Sequence, residues 1–390
     1  MLHSIRIRSL QEKIRGRGLA GAILFFSRDV YYYSGTAQPA YLVVLPDDYR
    51  LFVRRGYEIA RLESGFDQER IVQGNFLEEI VQQMFPGEGR GAKLGTEMDV
   101  LTVLQARNMN QALGARELVD ISGDILEQRT VKGSQELESI KRACSAVHAG
   151  HIAAISHLRA GMSELELAAA VENAQRLAGH EGCFFMRMPD FVMSRGPLAS
   201  GLNLRHTSGT LFTLSGAGLS PAIPTGASRR IIEAGDMVLV DIPVCIEGYH
   251  ADQSRTYAVG HAHPKALDLF QRLRSVADHL MSNLRPGLTC GEVFAAATAE
   301  AEALGIGDSF MNFHSGVKAH FVGHGIGLEL NEPPFLARNS RAVLKVGMVL
   351  AIELHLMEPE GHALKLEDTV FITPNGVEIL TSSPRELTVI

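Results

Sequence analysis

Two short blocks in the second half of this chain each occur twice. Leu158-Arg159-Ala160-Gly161-Met162-Ser163, with Glu166 three positions on, recurs as Leu284-Arg285-Pro286-Gly287-Leu288-Thr289 with Glu292. A hydroxyl residue followed three places later by Glu is the pattern of a capping box, so both copies are expected to open a helix. Gly235-Asp236-Met237-Val238-Leu239-Val240-Asp241 recurs as Gly347-Met348-Val349-Leu350-Ala351-Ile352-Glu353, and each copy ends in an acid six residues after its glycine. Both block types in the same order predict a duplicated domain with a pseudo-twofold axis.

The apolar runs in the second block have the continuous, β-branched character of buried strands, so Asp241 and Glu353 are expected at the ends of core strands. Residues 241–252 read Asp-Ile-Pro-Val-Cys-Ile-Glu-Gly-Tyr-His-Ala-Asp, and Glu247-Gly248 supplies a turn that lets Asp241 and Asp252 face each other across a hairpin. Taken alone, the Asp pair also fits ordinary turn and cap residues. Further on, Gly323-His324-Gly325-Ile326-Gly327 places an imidazole where glycines allow close approach of the backbone, and Ala363-Leu364-Lys365-Leu366-Glu367-Asp368-Thr369-Val370 places Glu367 in the strand after Glu353. Four carboxylates and one His are thus tied to core strands, and buried acids need a cation between them. An oxygen-rich set with one imidazole suits Mn, Co, Zn or Fe, and five such side chains, some bridging, have room for two ions and a shared water.

The order Asp241, Asp252, His324, Glu353, Glu367 resembles the creatinase/methionine aminopeptidase superfamily of pita-bread metallopeptidases, and within it the aminopeptidase P and prolidase branch. The resemblance extends over nearly the whole chain. It implies an α/β (α+β) protein with a creatinase/prolidase-like domain at 1–130 and a catalytic pita-bread domain at 131–390. It also implies two divalent ions, with Asp241 on the first, His324 and Glu353 on the second, and Asp252 and Glu367 bridging. The implied activity is hydrolysis of a short peptide with Pro in second place by an Xaa-Pro aminopeptidase or dipeptidase, through a hydroxide between the metals, in a homodimer. Glu353 is expected to accept the proton and His320, four residues before His324, to contact the substrate or the tetrahedral intermediate.

Two positions depart from the family pattern. Its usual His seven residues after the metal His is Asn331 here, and its usual His in a segment starting Ser-Gly is missing from residues 215–223. Asn331 can donate a hydrogen bond to substrate but cannot shuttle a proton at neutral pH. His206, upstream, is the remaining imidazole that could reach the cleft. These departures favour an alternative: a non-peptidase member cleaving a C–N or C–S bond of a small metabolite, as creatinase, ectoine hydrolase or the dimethylsulfoniopropionate lyases do. A non-catalytic binding module is the third reading, and the complete ligand set argues against it.

With 390 residues, 46% of them hydrophobic, the chain is long enough for two or three domains with a sizeable core. A net charge of −7 with dispersed Lys and Arg gives no footprint for nucleic acid. No run approaches a membrane span or an export signal, and Cys144, Cys183, Cys245 and Cys290 lie far apart without Cys-x-x-Cys, so reduced thiols in the cytoplasm are expected.

Residues 1–130 alternate helix and strand: a helix near 9–17, strands near 22–26, 41–45, 51–54 and 93–97, and helices near 57–63 and 77–84. Tyr31, Tyr32 and Tyr33 read as packing residues. The short polar stretch 127–134 marks the boundary, with Ser134 expected to cap the next helix. Ser194-Arg195-Gly196 and Ser215-Gly216 lack the glycine pattern of a nucleophile elbow, and no dinucleotide fingerprint is present. His261 and His263 read as surface residues before Pro264. His355 and His362 are candidates to tune the site from behind the ligands, and residues 183–211, with a neighbouring subunit, are expected to supply the substrate pocket.

Overall fold

The structure is a computed structural model that describes residues 2–87, 89–188, 193, 195–209, 211, 213–313 and 316–390. The chain divides into two compact units, Met1–Arg129 and Thr130–Ile390.

In the first unit, helix α1 (Leu2–Gly16) leads to β1 (Gly21–Leu24), α2 (Ser27–Ser34), β2 (Ala40–Val44), β3 (Tyr49–Val53), α3 (Tyr57–Glu63), β4 (Ile71–Gln73), α4 (Leu77–Met84), β5 (Lys93–Thr96), α5 (Val103–Leu113), β6 (Glu117–Asp120) and α6 (Ser122–Thr130). The six strands form one mixed sheet in the order β4-β3-β2-β1-β5-β6. Sequence periodicity locates more than half of these elements but misses β4, β6, α5 and α6; the two strands are too short to show alternation. It also leaves Tyr31–Tyr33 unassigned, and they lie in α2, which ends at Gly35 in the left-handed region (φ 83°). Tyr32 and Tyr33 are buried, as expected of packing residues.

The second unit contains α7 (Ser134–His157), α8 (Glu164–Leu177), β7 (Leu198–Ser200), β8 (Met237–Asp241), β9 (Val244–Ile246), β10 (Tyr249–Ala251), β11 (Ser254–Ala258), α9 (Pro264–Asn283), α10 (Cys290–Ala303), β12 (Phe321–Gly325), β13 (Glu332–Ala337), β14 (Val349–Met357), β15 (Ala363–Thr373), β16 (Gly376–Ile379) and β17 (Thr388–Val389). Both expected capping boxes form: Ser163 and Glu166 open α8, and Thr289 and Glu292 open α10, with matched hydrogen bonds of 3.2 and 2.7 Å. Ser134, however, is the first residue of α7 and not its cap. Glu136 instead folds back and accepts from the Gly133 backbone N–H at 2.8 Å.

The repeat is visible in the layers. Helices α7 and α8 pack on β8 and β11 through Ala154, Leu167, Val171, Val238, Val240 and Tyr257. Helices α9 and α10 pack on β14 and β15 through Leu273, Val276, Val293, Leu350, Leu354 and Leu366. Each half is therefore an antiparallel strand pair carrying a helix pair on one face, and the proposed ligands lie on these strand pairs.

Candidate metal centre

Strands β8 and β9 return through Glu247-Gly248 into β10 and β11 as one long interrupted hairpin. Both turn residues have positive φ (53° and 77°), the conformation a two-residue hairpin turn demands. The ladder pairs Asp241 with Ser254, and Asp252 falls in the two-residue interruption between β10 and β11. In the second half, β14 and β15 form an uninterrupted ladder in which Glu353 faces Glu367.

The two hairpins are stitched together by hydroxyls. Thr369 Oγ1 accepts from the Asp252 N–H (3.0 Å) and donates to the Asp252 carbonyl (2.8 Å). Ser254 Oγ donates to Glu367 Oε2 at 2.6 Å, and Thr256 Oγ1 accepts from the Lys365 N–H (3.1 Å) and donates to the Lys365 carbonyl (2.8 Å). These three contacts step along β11 and β15 in opposite directions at constant offset, so Ser and Thr side chains replace the backbone ladder between the halves. Asp241, Ser254, Glu367 and Glu353 consequently lie in one row across four strands.

His324 enters from β12, whose Gly323 and Gly325 pair with Ile352 and Leu350 of β14. A Cβ at Gly323 would collide with the Ala351 carbonyl oxygen, and one at Gly325 with that of Pro333. These glycines let neighbouring strands close on His324, and their part is backbone packing. His324 Nδ1 lies 3.0 Å from the Gly325 carbonyl, which leaves Nε2 to face the cluster, 3.7 Å from Glu353 Oε1.

All five predicted ligands are buried and converge, none more than 6% exposed. Donor atoms of Asp252, His324 and Glu367 lie within 4.8 Å of one another, a spacing at which one ion could be held. Asp252 Oδ1 and Glu367 Oε1 accept no hydrogen bond from the described residues. Buried carboxylate oxygens without donors are costly unless a cation meets them, so the donor set fits a divalent ion. Burial first, then the charges of Glu367 and Asp241, hold the Asp252 carboxyl well above the usual carboxylate range. Burial also raises Asp241, to about 6, against the pull of Lys365.

One charged side chain in this cluster escaped sequence reasoning. Lys365 is 1% exposed, and its Nζ lies 2.7 Å from Asp241 Oδ2, 3.0 Å from Glu353 Oε2, 3.0 Å from Glu367 Oε2 and 2.8 Å from Thr213 Oγ1. Burial alone would lower this ammonium's pKa, but Asp241, Glu367 and Glu353 outweigh it and hold it well above the ordinary lysine value. The available signal was its position two residues before Glu367 on a strand, which puts both side chains on one face.

Behind the row, Arg255 spends all five N–H groups. It donates to the carbonyls of Pro384 (2.8 Å), Ser254 (2.9 Å), Glu367 (2.5 Å) and Ser383 (2.9 Å) and to Asp368 Oδ1 (2.6 Å). His355, paired with Lys365 across the ladder, is buried, stacks on Phe313 and sets Nε2 3.2 Å from the Asn312 carbonyl. His362 lies beside His263, and His263 caps α9 through Nδ1, which accepts from the Lys265 N–H. The cluster contacts given above include none of the other predicted site residues. His320 is exposed just before β12 and meets the Phe321 ring edge-on, Asn331 is half-buried just before β13, and His206 is exposed at the end of a short 3-10 helix (Gly201–Arg205). Of the expected pocket segment 183–211, residues 189–192, 194 and 210 lie outside the described residues, and with them the Ser194 of the rejected nucleophile motif. None of the four cysteines is in a disulfide among the described residues, and burial pushes the thiol of Cys144 far up and that of Cys290 to about 11.

A family model described as metallopeptidase family M24 matches residues 138–374. The chain belongs to metallopeptidase family M24. A second model, the creatinase/prolidase N-terminal domain, matches residues 6–131. The chain is 30% identical over 363 residues, 92% of each protein, to an Xaa-Pro dipeptidase of Pyrococcus furiosus. Among solved structures, an Xaa-Pro dipeptidase from Bacillus anthracis superposes with a TM-score of 0.84 at 26% identity and full coverage of both chains. A prolidase from Pyrococcus furiosus gives 0.79 at 28% identity, covering 96% of this chain and 100% of the other. The creatinase/pita-bread fold and the prolidase branch expected from the sequence are thus borne out, and this M24 member is a hydrolase of a family that uses divalent metal. No helix among the described residues is long and apolar enough to cross a membrane.

Proposed function

We propose that this M24 member is an Xaa-Pro dipeptidase that uses two divalent ions, Mn, Co, Zn or Fe, held by Asp241, Asp252, His324, Glu353 and Glu367. The observation that carries the reading is the convergence of these five buried side chains, with Asp252 Oδ1 and Glu367 Oε1 lacking any donor from the described residues. The names of the relatives supply the substrate class. When bound, such ions act as Lewis acids toward a peptide carbonyl and acidify water.

The chain's own residues then have separate tasks. Asp252, from the first hairpin, and Glu367, from the second, would each serve both ions, and Ser254 fixes Glu367 through the 2.6 Å hydrogen bond to Oε2. Glu353 accepts the proton of the attacking water and delivers it to the leaving amine. His320 assists the substrate carbonyl or amine, Asn331 donates a hydrogen bond to the bound peptide, and His206 approaches its end. We place the enzyme in the cytoplasm as a homodimer, with no nucleic-acid or membrane partner, and the 1–130 and 131–390 division as N-terminal and catalytic domains.

The test uses metal-stripped protein reloaded with Mn, Co or Zn and offered Xaa-Pro dipeptides and Xaa-Pro-Xaa tripeptides, with Asp252→Ala as control. Metal-dependent release of proline from the dipeptides, lost in the control, is expected. Silence on every peptide from protein that still binds metal would refute the dipeptidase reading and direct the search to C–N and C–S bonds of small metabolites, the alternative that the named relatives do not favour.

A further inference from the structure

We propose that Lys365 is a built-in cation of the metal centre that competes for its Asp241 side. A first divalent ion then enters beside Asp252 and His324, and a second enters only by displacing the Lys365 ammonium. The inference rests on the metal-site reading above and adds to it an order of loading set by one residue.

The two sides of the cluster differ in what the protein itself provides. On one side the Lys365 ammonium lies within 2.7–3.0 Å of oxygens of Asp241, Glu353 and Glu367, three of the four carboxylates. An ion binding those oxygens has to share them with Nζ or drive it out. On the other side, Asp252 Oδ1 and Glu367 Oε1 receive no donor from the described residues, and the Asp252, His324 and Glu367 donor atoms sit within 4.8 Å of one another.

Charge points the same way. With all four carboxylates ionised, as ligands to a metal must be, one ammonium leaves three negative charges in excess in this buried cluster. One divalent ion reduces that excess to one. A second, with the ammonium in place, would leave one positive charge in excess, whereas exchange of the ammonium for the ion balances four charges with four. Thr213 Oγ1, 2.8 Å from Nζ and outside the ligand set, gives the displaced ammonium an acceptor to keep.

The experiment is a titration of the full-length, metal-stripped chain with Mn²⁺, followed by calorimetry and by elemental analysis after equilibrium dialysis, for the wild type and for Lys365→Met. The wild type is expected to bind one ion tightly and a second more weakly by about tenfold or more. In Lys365→Met the second ion should tighten by about tenfold or more while the first changes less, because only the second shares its oxygens with the ammonium. Two equally tight ions in the wild type, or a second constant unchanged or weakened in Lys365→Met, would overturn the inference. If the Met variant does not fold, Lys365→Arg, which keeps the charge, must retain the weak second site, and a folded Arg variant binding two ions equally overturns the inference as well. Absence of any bound ion in the wild type would instead refute the metal-site reading, and this inference with it.

Discussion

Replacing Arg255 with Met should destabilise the second unit by several kilocalories per mole and loosen the metal centre, although Arg255 touches no metal-facing atom. The guanidinium ties β11 to the Glu367 carbonyl and to Asp368, and both are 2% exposed or less. Breaking a buried ion pair by deleting one partner costs roughly 3–5 kcal/mol. Asp368 is not wholly orphaned, because Arg385 Nε and Thr381 Oγ1 still donate to it at 2.8 Å each, which lowers that figure. Four carbonyls lose a donor at the same time, each worth roughly 1 kcal/mol. Because contributions of groups that share partners do not add in full, a loss of at least about 4 kcal/mol follows, read as a shift of the urea midpoint at unchanged slope in metal-free protein. A double-mutant cycle with Asp368→Asn isolates the pair and should return a coupling of about 1–3 kcal/mol. A midpoint shift corresponding to less than about 1 kcal/mol would refute the claim that this guanidinium clamps the two hairpins.

Two further outcomes are expected. Burial, with the Arg255 charge adding to it, lowers the His151 pKa to about 4, and its Nδ1 lies 2.6 Å from the Tyr257 hydroxyl. Because the folded-state value is depressed, the stability contributed by neutral His151 is complete above about pH 6.5 and is lost as the pH falls toward 4. His151→Phe should therefore shrink the stability difference between pH 7 and pH 4.5 by roughly 2–3 kcal/mol, and urea melts with unaltered pH dependence would contradict this. Gly323→Ala would drive a Cβ into the Ala351 carbonyl of the neighbouring strand, where only backbone could give way. It should lower the melting temperature and weaken metal binding at His324 together, and a variant that keeps both would show that β12 has slack there.

Residues near one another along the chain carried much of this protein in plain view. The capping boxes at Ser163 and Thr289 need only i to i+3 hydrogen bonds, and the Glu247-Gly248 turn needs only positive φ at two positions, so local sequence suffices for each. The duplication followed from repeated blocks, and acids at the ends of apolar strands could be singled out because burying them uncompensated is expensive. Tertiary structure decided what pairs with what across more than a hundred residues. The offset between β11 and β15 depends on Ser254, Thr256 and Thr369 hydroxyls meeting partners from the other half, and no local preference specifies such partners. Lys365 looks like any strand lysine until that offset brings Asp241 to its ammonium, because a long flexible side chain takes its direction from the charges around it and not from its neighbours in sequence.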